Sequence, residues 1–259
     1  MIVRNLSACL RHLCAATLAC VLIPAVAHAQ GCRLTPIGPA TVRAVTHNDI
    51  LLEDGRVVRL AGITDVAQPD IGAALSAGRT IVLKRLGTAE TDRYGRIAAH
   101  IFIIENDRER WLQADLLARG RARASSRIGD VACAKELLAH EDSARAGKLG
   151  LWTEPYYVIT KAEEPGEVLT RRGRFALVEG KVLSVRESGG TIYVNFGRRW
   201  SEDFTVTIAK RNERVFSAAG LEPKKLAGRT VRIRGWIEER GGPWVEASRP
   251  EQIEVLERN

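Results

Sequence analysis

Short runs of alternating apolar and polar residues occupy the first half of the chain, separated by turn-forming pairs such as Asp54-Gly55. A period of two residues is typical of strands that bury one face, and such pairs commonly end strands. The pattern predicts five strands, at Ala40–Val45, Asp49–Leu52, Val57–Ile63, Thr80–Arg85 and Ile97–Ile104.

Two stretches with helical spacing of their apolar residues follow these strands. They are Trp111–Arg119 and Ala132–Ala146, and Gly147 is a typical residue to end the second helix. Strands followed by helices in a unit of this size predict a mainly β, α+β fold. We expect a small five-stranded barrel with helices packed on it.

A polar stretch with Pro165 and Gly166 interrupts the pattern. We therefore expect a first domain at 32–158, a linker at 159–169 and a second domain at 170–259. The second domain has three predicted strands, then one helix, then two more strands. The strands are Phe175–Val185, Thr191–Phe196, Asp203–Ile208, Arg229–Glu238 and Trp244–Ala247, and the helix is Lys210–Ala219. This order predicts a second small OB-like barrel, and a small α+β sandwich is the alternative.

The N-terminus differs in composition from the rest of the chain. Residues 1–29 contain two arginines, no acidic residue, an apolar run at Leu13–Val26 and the small-residue pattern Ala27-His28-Ala29. These features predict a signal peptide cleaved near Ala29, and hence export to the periplasm or beyond. The apolar run is shorter than the about 20 residues of a spanning helix, and no later stretch is long and apolar enough to span a bilayer. A lipoprotein anchor at Cys20 fits poorly, because that cysteine lies inside the apolar run.

Cleavage at this point leaves two of the five cysteines, Cys32 and Cys133. In an oxidising compartment we expect them to form a disulfide between the N-terminal tail and the second helix, with two free thiols as the alternative. The sequence has no cluster of cysteines and histidines, so a zinc site is not expected. His47, His100 and His140 are scattered and are typical of surface or core residues.

The charge balance after cleavage is basic. Of 39 Lys and Arg residues, 37 remain against 31 acidic residues, which gives a net charge of +6. Such a surplus favours anionic partners, with nucleic acid first among them, although it is also common on soluble surfaces.

One segment is specific for a family. Thr91-Asp92-Arg93-Tyr94-Gly95-Arg96 precedes a predicted strand, Arg59-Leu60-Ala61-Gly62-Ile63 lies upstream and Gly150-Leu151-Trp152 downstream. With these segments, residues 40–157 resemble the thermonuclease family, the staphylococcal-nuclease-like domains. The resemblance implies calcium-dependent cleavage of phosphodiester bonds in DNA or RNA. In this family two arginines hold the phosphate, two aspartates and a carbonyl bind calcium, and a glutamate activates water. Calcium prefers oxygen ligands, and the arginines stabilise the negative charge of the transition state.

The resemblance places three residues of this chain in the family site. Arg59 and Arg96 stand at the phosphate-binding arginines, as candidate catalytic residues, and Asp49 stands at the first metal-binding aspartate. For both arginines the alternative is a structural pairing with a carboxylate or carbonyl that holds a turn.

The loop after the third predicted strand lacks two of the implied acids. Thr64 stands at the second metal-binding aspartate and Ala67 at the general base. Asp65 is the remaining candidate metal ligand, but it lies one residue late, where an extended strand end turns its side chain to the other face. The helix after the loop is also shortened, to Asp70–Gly78. Since loss of a general base costs about 10²–10⁴-fold, we expect weak or absent nuclease activity.

The second domain offers a separate candidate site. Arg198, Arg199 and Trp200 are consecutive, and Trp236 and Trp244 follow later. OB-like barrels bind single strands by stacking bases on aromatic rings and by neutralising phosphates, which makes these three consecutive residues candidate nucleic-acid contacts. The alternative is that the tryptophans fill the barrel and the charges are solvated.

The sequence supports three hypotheses. The first is an exported thermonuclease-like protein, weakened or inactive as a nuclease, that binds nucleic acid or another anionic partner without a cofactor. The second is an active calcium-dependent nuclease in which Asp65 or Asp70 replaces the missing acids. The third is an envelope scaffold that binds proteins which the sequence does not identify.

Overall fold

The computed structural model describes residues 31–46, 49–66, 68–88 and 91–256. The predicted signal peptide, His47 and Ala67 lie outside these residues, so the predictions that rest on them stay predictions. The described chain is mainly β, as the sequence predicts. Within the described ranges, no helix has the length and apolar character needed to cross a membrane.

The first part of the chain folds as a barrel with helices. Its strands are β1 (Thr35–Thr46), β2 (Asp49–Leu52), β3 (Val57–Leu60), β4 (Ile63–Thr64), β5 (Thr80–Arg85), β6 (Arg96–Glu105), β7 (Arg108–Trp111) and β8 (Arg123–Ala124). Its helices are α1 (Gln68–Ala74), α2 (Leu112–Ala118) and α3 (Val131–Ala146), with 3₁₀ turns at Gly150–Thr153 and Pro155–Tyr157.

Strand pairing closes this barrel. β1 pairs with β2 and β5, β2 pairs with β3, and β5 pairs with β6. The cycle ends with β3 alongside β6, the parallel pair of this five-stranded cycle. Inward residues such as Ile50 and Val58 are fully buried, while their neighbours Asp49 and Arg59 face outward, as the period of two requires. The predicted fold class is therefore confirmed.

A disulfide ties the N-terminal tail to α3. The predicted Cys32–Cys133 bond is present and spans 101 positions of sequence. Asp130 caps α3 by accepting a hydrogen bond from the backbone N–H of Cys133 (2.8 Å), so the cysteine lies in a well-defined first turn.

The second part contains further short strands and two helices. They are β9 (Thr160–Lys161), α4 (Pro165–Leu169), β10 (Phe175–Lys181), β11 (Ser184–Ser188), β12 (Thr191–Asn195), β13 (Thr205–Ala209), α5 (Glu213–Ala218), β14 (Thr230–Trp236), β15 (Glu238–Arg240), β16 (Gly242–Glu246) and β17 (Ile253–Leu256). Single 3₁₀ turns occupy Lys210–Asn212, Pro223–Lys225 and Pro250–Gln252.

The pairing order of the first barrel recurs here. β10 and β11 follow each other closely and act as one bent strand, which pairs with β14 at one end and β12 at the other. β12 pairs with β13, β13 runs parallel to β16, and β16 pairs with β15, the continuation of β14. In both cycles the third and fifth strands are the parallel pair, so the second part is also OB-like.

Two predicted segments differ in detail from the structure. The stretch 159–169, expected to be a linker, contains β9 and α4; β9 pairs with β10, and Val168 is fully buried in the second core. Such short elements leave no periodic pattern in a polar sequence. The single strand predicted at Phe175–Val185 is broken after Lys181, where buried Val182 marks the bend between β10 and β11.

A buried ion cluster joins the two barrels. The fully buried Arg234 of β14 donates to Glu141 of α3 (2.6 Å), to Glu254 of β17 (2.8 Å) and to the carbonyl of Ala124 (2.9 Å). Burial opposes the charge of Glu254, but Arg234 outweighs it and lowers the pKa of that carboxyl below its ordinary value. The three contacts pair both terminal nitrogens of the guanidinium, while its buried Nε has no partner among the described residues, and they link the barrels through groups that are costly to separate.

Candidate functional site

The predicted phosphate arginines and the first predicted metal ligand share one outer face of the first barrel. Asp49 lies opposite Arg59 in the β2–β3 register. In the parallel β3–β6 register Val57 lies opposite Arg96 and Arg59 opposite Ala98, so both arginines are on the same side of neighbouring strands. The structure therefore brings Asp49, Arg59 and Arg96 together.

Arg96 is held by two carboxylates. Its guanidinium donates to Asp92 (Nε to Oδ2, 3.0 Å) and to Asp49 (Nη1 to Oδ1, 3.1 Å). The hydrogen bond to Asp92 is the main cause that raises the pKa of Arg96. The tight turn before Arg96 places Gly95 at a φ of 74°, a left-handed conformation that suits glycine.

Asp92 organises that turn. Its carboxylate accepts hydrogen bonds from the backbone N–H groups of Tyr94 (2.9 Å) and Arg96 (3.1 Å). Desolvation alone would raise the pKa of Asp92, but these bonds and the Arg96 guanidinium outweigh it and lower the pKa. Arg96 is thus held in a fixed orientation on the outer face, and these contacts give it a structural role in the turn.

The side chain of Arg59 differs from that of Arg96 in having no partner among the described residues. It is exposed and makes no hydrogen bond or ion pair with that part of the chain. It lies at the edge of a cleft of about 1070 Å³ between the two barrels. Arg127 and Arg249 also line this inter-barrel cleft, as do the acidic residues Glu238 and Glu246, so its charge is mixed.

Asp65 is engaged away from this face. It adopts a φ of 54°, and its carboxylate accepts a hydrogen bond from Nε of Arg123 on β8 (2.9 Å) and forms an ion pair with Nη2 of the same residue (2.7 Å). Arg123 is almost fully buried, donates to the carbonyl of Phe175 (3.0 Å) and lies 4.9 Å from the rings of Tyr157 and Phe175. Burial, reinforced by Asp65, raises the pKa of Tyr157. Asp65 therefore stabilises the junction between the barrels.

The donor set does not fit calcium. Asp49 is bound to Arg96, Thr64 is neutral, and Asp65 is bound to Arg123. Calcium needs six to eight oxygen ligands with several carboxylates. Across the described ranges, no group of three or more His, Cys, Asp or Glu residues is arranged to hold a metal ion.

His100 is a core residue whose position the sequence leaves open. It is fully buried on β6, and its ring meets that of Trp111 edge-on at 5.2 Å. Neither ring nitrogen has a hydrogen-bond partner among the described residues. Burial lowers its pKa from 6.5 to about 4, so it is neutral at physiological pH.

The three consecutive candidates of the second barrel separate from one another. Arg198 and Trp200 line a cavity of about 840 Å³, here called the aromatic cavity, together with Tyr193 and Trp244. Arg199 points elsewhere and pairs with Glu202 (2.8 Å). Trp200 is 75% exposed, so it does not fill the barrel core.

A comparison with known protein families identifies part of the first barrel. Residues 71–154 match the staphylococcal nuclease homologue family. The match covers about a third of the 259 residues and includes Arg96, β5–β8 and α2–α3. Asp49, Arg59, Asp65 and the second barrel lie outside the matched range. A search of curated proteins finds no match to the chain.

The staphylococcal nuclease homologue family is calcium-dependent in general. The resemblance seen in the sequence is confirmed for the matched residues 71–154, here called the nuclease-homologue domain. Sequence reasoning missed Arg123, because its partners Asp65 and Phe175 are more than 50 positions away on either side. It also missed Tyr193, although the alternation with buried Ile192 was a signal that this residue faces outward. Trp244 was already among the tryptophans that the sequence offers as possible stacking residues.

Proposed function

We propose that this chain is an exported nucleic-acid-binding protein built on a nuclease-homologue domain with little or no hydrolytic activity. The observation that carries the proposal is the contrast between Arg59 and Asp65. Arg59 is exposed and unpaired within the described chain, whereas Asp65, the acid available to complete a metal site, is bound to buried Arg123.

The outer face that carries Asp49, Arg59 and Arg96, here called the arginine face, supports phosphate binding. A guanidinium group presents several N–H donors in a planar fork that matches phosphate oxygens. Arg59 offers this fork without first breaking an ion pair, and Arg96 lies on the neighbouring strand with its orientation fixed by Asp92. The basic surplus of the chain adds long-range attraction to polyanions.

Weak hydrolysis follows from the missing acids. Thr64 carries no charge, and Asp65 would have to leave Arg123 buried and unpaired in order to bind a metal. The predicted general-base position, Ala67, has no titratable side chain. A site that keeps its phosphate-binding groups and lacks metal and base functions binds substrate without accelerating its cleavage.

Export rests on the N-terminal sequence pattern, with the disulfide as compatible support. The Cys32–Cys133 bond is of the kind that persists in oxidising compartments.

Binding is tested with purified mature protein and fluorescently labelled single- and double-stranded DNA and RNA, in chelator, over a series of salt concentrations. We expect affinity to fall as salt rises, and Arg59→Ala to weaken binding. Arg56→Ala is the matched control, because Arg56 is a nearby partly exposed arginine that is already paired with Asp54 (2.6 Å). Absence of binding, or affinity that does not respond to salt, would overturn the proposal.

An active calcium-dependent nuclease is the second candidate. The retention of Asp49, Arg59 and Arg96 on one outer face favours it. It requires Asp65 or Asp70 to serve the metal, yet Asp65 is bound to Arg123 and Asp70 lies 3.7 Å from Arg121.

A further inference from the structure

The second barrel has an outer sheet face of unusual composition. Alternate residues of its strands point inward and are fully buried, among them Ile192, Val194 and Val206. The outward residues form a continuous row across four strands. In register this row reads Ser184, Asn195, Thr205 and Trp244.

The aromatic cavity lies on this row. Tyr193 and Trp244 form one wall, with their rings in an edge-on contact at 6.2 Å, and the loop after β12 brings Arg198 and exposed Trp200 over the face. The indole N–H of Trp244 is buried and has no hydrogen-bond partner in the described chain. A volume of about 840 Å³ is within the range of ligand sites, about 300–1,000 Å³.

The charges around the cavity have one sign. Its lining includes Arg186, Arg198 and Arg240 and, among described residues, no carboxylate. Arg186 and Arg198 make no ion pair with the described chain. Arg240 lies 4.9 Å from the centre of the Trp244 ring and pairs with Glu238 (3.0 Å) just outside the lining. By contrast, the inter-barrel cleft mixes both signs, so the aromatic cavity is the better match for an anion with flat rings.

The position of the cavity repeats that of the arginine face. In the first barrel, Asp49, Arg59 and Arg96 lie outward on the second, third and fifth strands of the cycle. In the second barrel, those strands are β12, β13 and β16, which carry Asn195, Thr205 and Trp244 outward. The two barrels thus present topologically equivalent faces. The first carries Asp49 beside its arginines, whereas the lining of the aromatic cavity combines arginines with aromatic rings.

We propose that the aromatic cavity binds bases of single-stranded nucleic acid, with Trp200 and Trp244 stacking on them and Arg186 and Arg198 neutralising adjacent phosphates. This rests on the proposed function, because it assigns a second contact region to the same class of ligand. Bases in a duplex are stacked on each other and cannot enter such a cavity, so the contact selects single strands.

The test measures affinities for a labelled thymidine oligonucleotide and for a duplex of mixed sequence, in chelator. We expect Trp200→Ala and Arg198→Ala to weaken single-strand binding, by about tenfold for the tryptophan, and to leave duplex binding unchanged. Arg199→Ala removes the same charge one position away, outside the cavity, and is the matched control for Arg198. Duplex binding by the Trp200→Ala variant itself is the control for Trp200.

The outcomes separate this inference from the proposed function. One outcome is that the wild type binds, that Arg59→Ala weakens this binding, and that both cavity variants bind like the wild type. This outcome overturns the cavity proposal and leaves the proposed function standing. If the wild type binds neither oligonucleotide, both fall. An acidic peptide and unlabelled oligonucleotide are compared as competitors of the labelled thymidine oligonucleotide. If the two compete equally well, the cavity recognises charge alone and the assignment to bases is overturned. Arg198→Ala keeps the test decisive if Trp200→Ala alters folding.

Discussion

His100 makes the stability of the first barrel dependent on pH in a way that a single substitution removes. The side chain is fully buried against Trp111, and neither ring nitrogen has a partner in the described structure. His100→Phe keeps an aromatic ring at this position and removes the titratable group. Its effect on packing adds a constant to the free energy of unfolding that does not vary with pH.

The sign follows from where the proton binds. Burial lowers the folded pKa of His100 to about 4, below the 6.5 of the free side chain. Between these pH values the unfolded chain takes up a proton that the folded chain does not. The stability of the folded state that depends on neutral His100 is therefore fully present above pH 6.5 and is lost as pH falls towards 4. With about 1.36 kcal/mol per pKa unit, the wild type loses about 3 kcal/mol from this group over that range.

Urea unfolding at a series of pH values, followed by far-UV circular dichroism, measures the effect. The free energies of unfolding of the wild type and His100→Phe should differ by a constant at pH 7 and above. Between pH 6.5 and 4 the variant should gain about 3 kcal/mol relative to the wild type. Parallel curves over this whole range would refute the reasoning.

Three further outcomes test the junction, the disulfide and the metal site. Asp65→Asn leaves the buried Arg123 guanidinium without its carboxylate and should lower the free energy of unfolding by about 3 kcal/mol. Asp54→Asn, which breaks an exposed pair with Arg56, should cost much less, and equal losses in urea unfolding would contradict this. Replacing both Cys32 and Cys133 by alanine should cost about 4–5 kcal/mol for a closed loop of this length, and a loss below about 1 kcal/mol would contradict the entropic account. Millimolar calcium should leave the melting temperature unchanged, because a ligand stabilises only a fold that binds it. A melting temperature that rises with calcium and then saturates would show a working metal site.

The sequence predicts the barrels better than their junction. Alternation along β2 and β5 gives both strands their observed bounds, because buried aliphatic residues alternate with less buried residues in each. The disulfide is predicted because only two cysteines remain after the expected cleavage. These features depend on the local pattern of residues or on the number of cysteines, and both can be read from a single sequence.

The candidate site is harder to predict, because its decisive contacts are long-range. The register of Asp65 indicates that it faces away from the metal position, but nothing near it in sequence indicates Arg123, 58 positions later. The run Arg198-Arg199-Trp200 identifies the region of the aromatic cavity, yet the two arginines diverge only once the loop after β12 folds over the sheet. Side-chain direction in an irregular loop has no periodic signature.

The function proposed for this protein is binding of nucleic acid without efficient cleavage. The most direct measurement combines anisotropy and gel analysis of the same labelled oligonucleotide samples, incubated with mature protein in calcium and in chelator. The account predicts salt-sensitive binding in both conditions and intact oligonucleotide in calcium. Robust cleavage that requires calcium, stops with chelator and is lost in Arg96→Ala would contradict it.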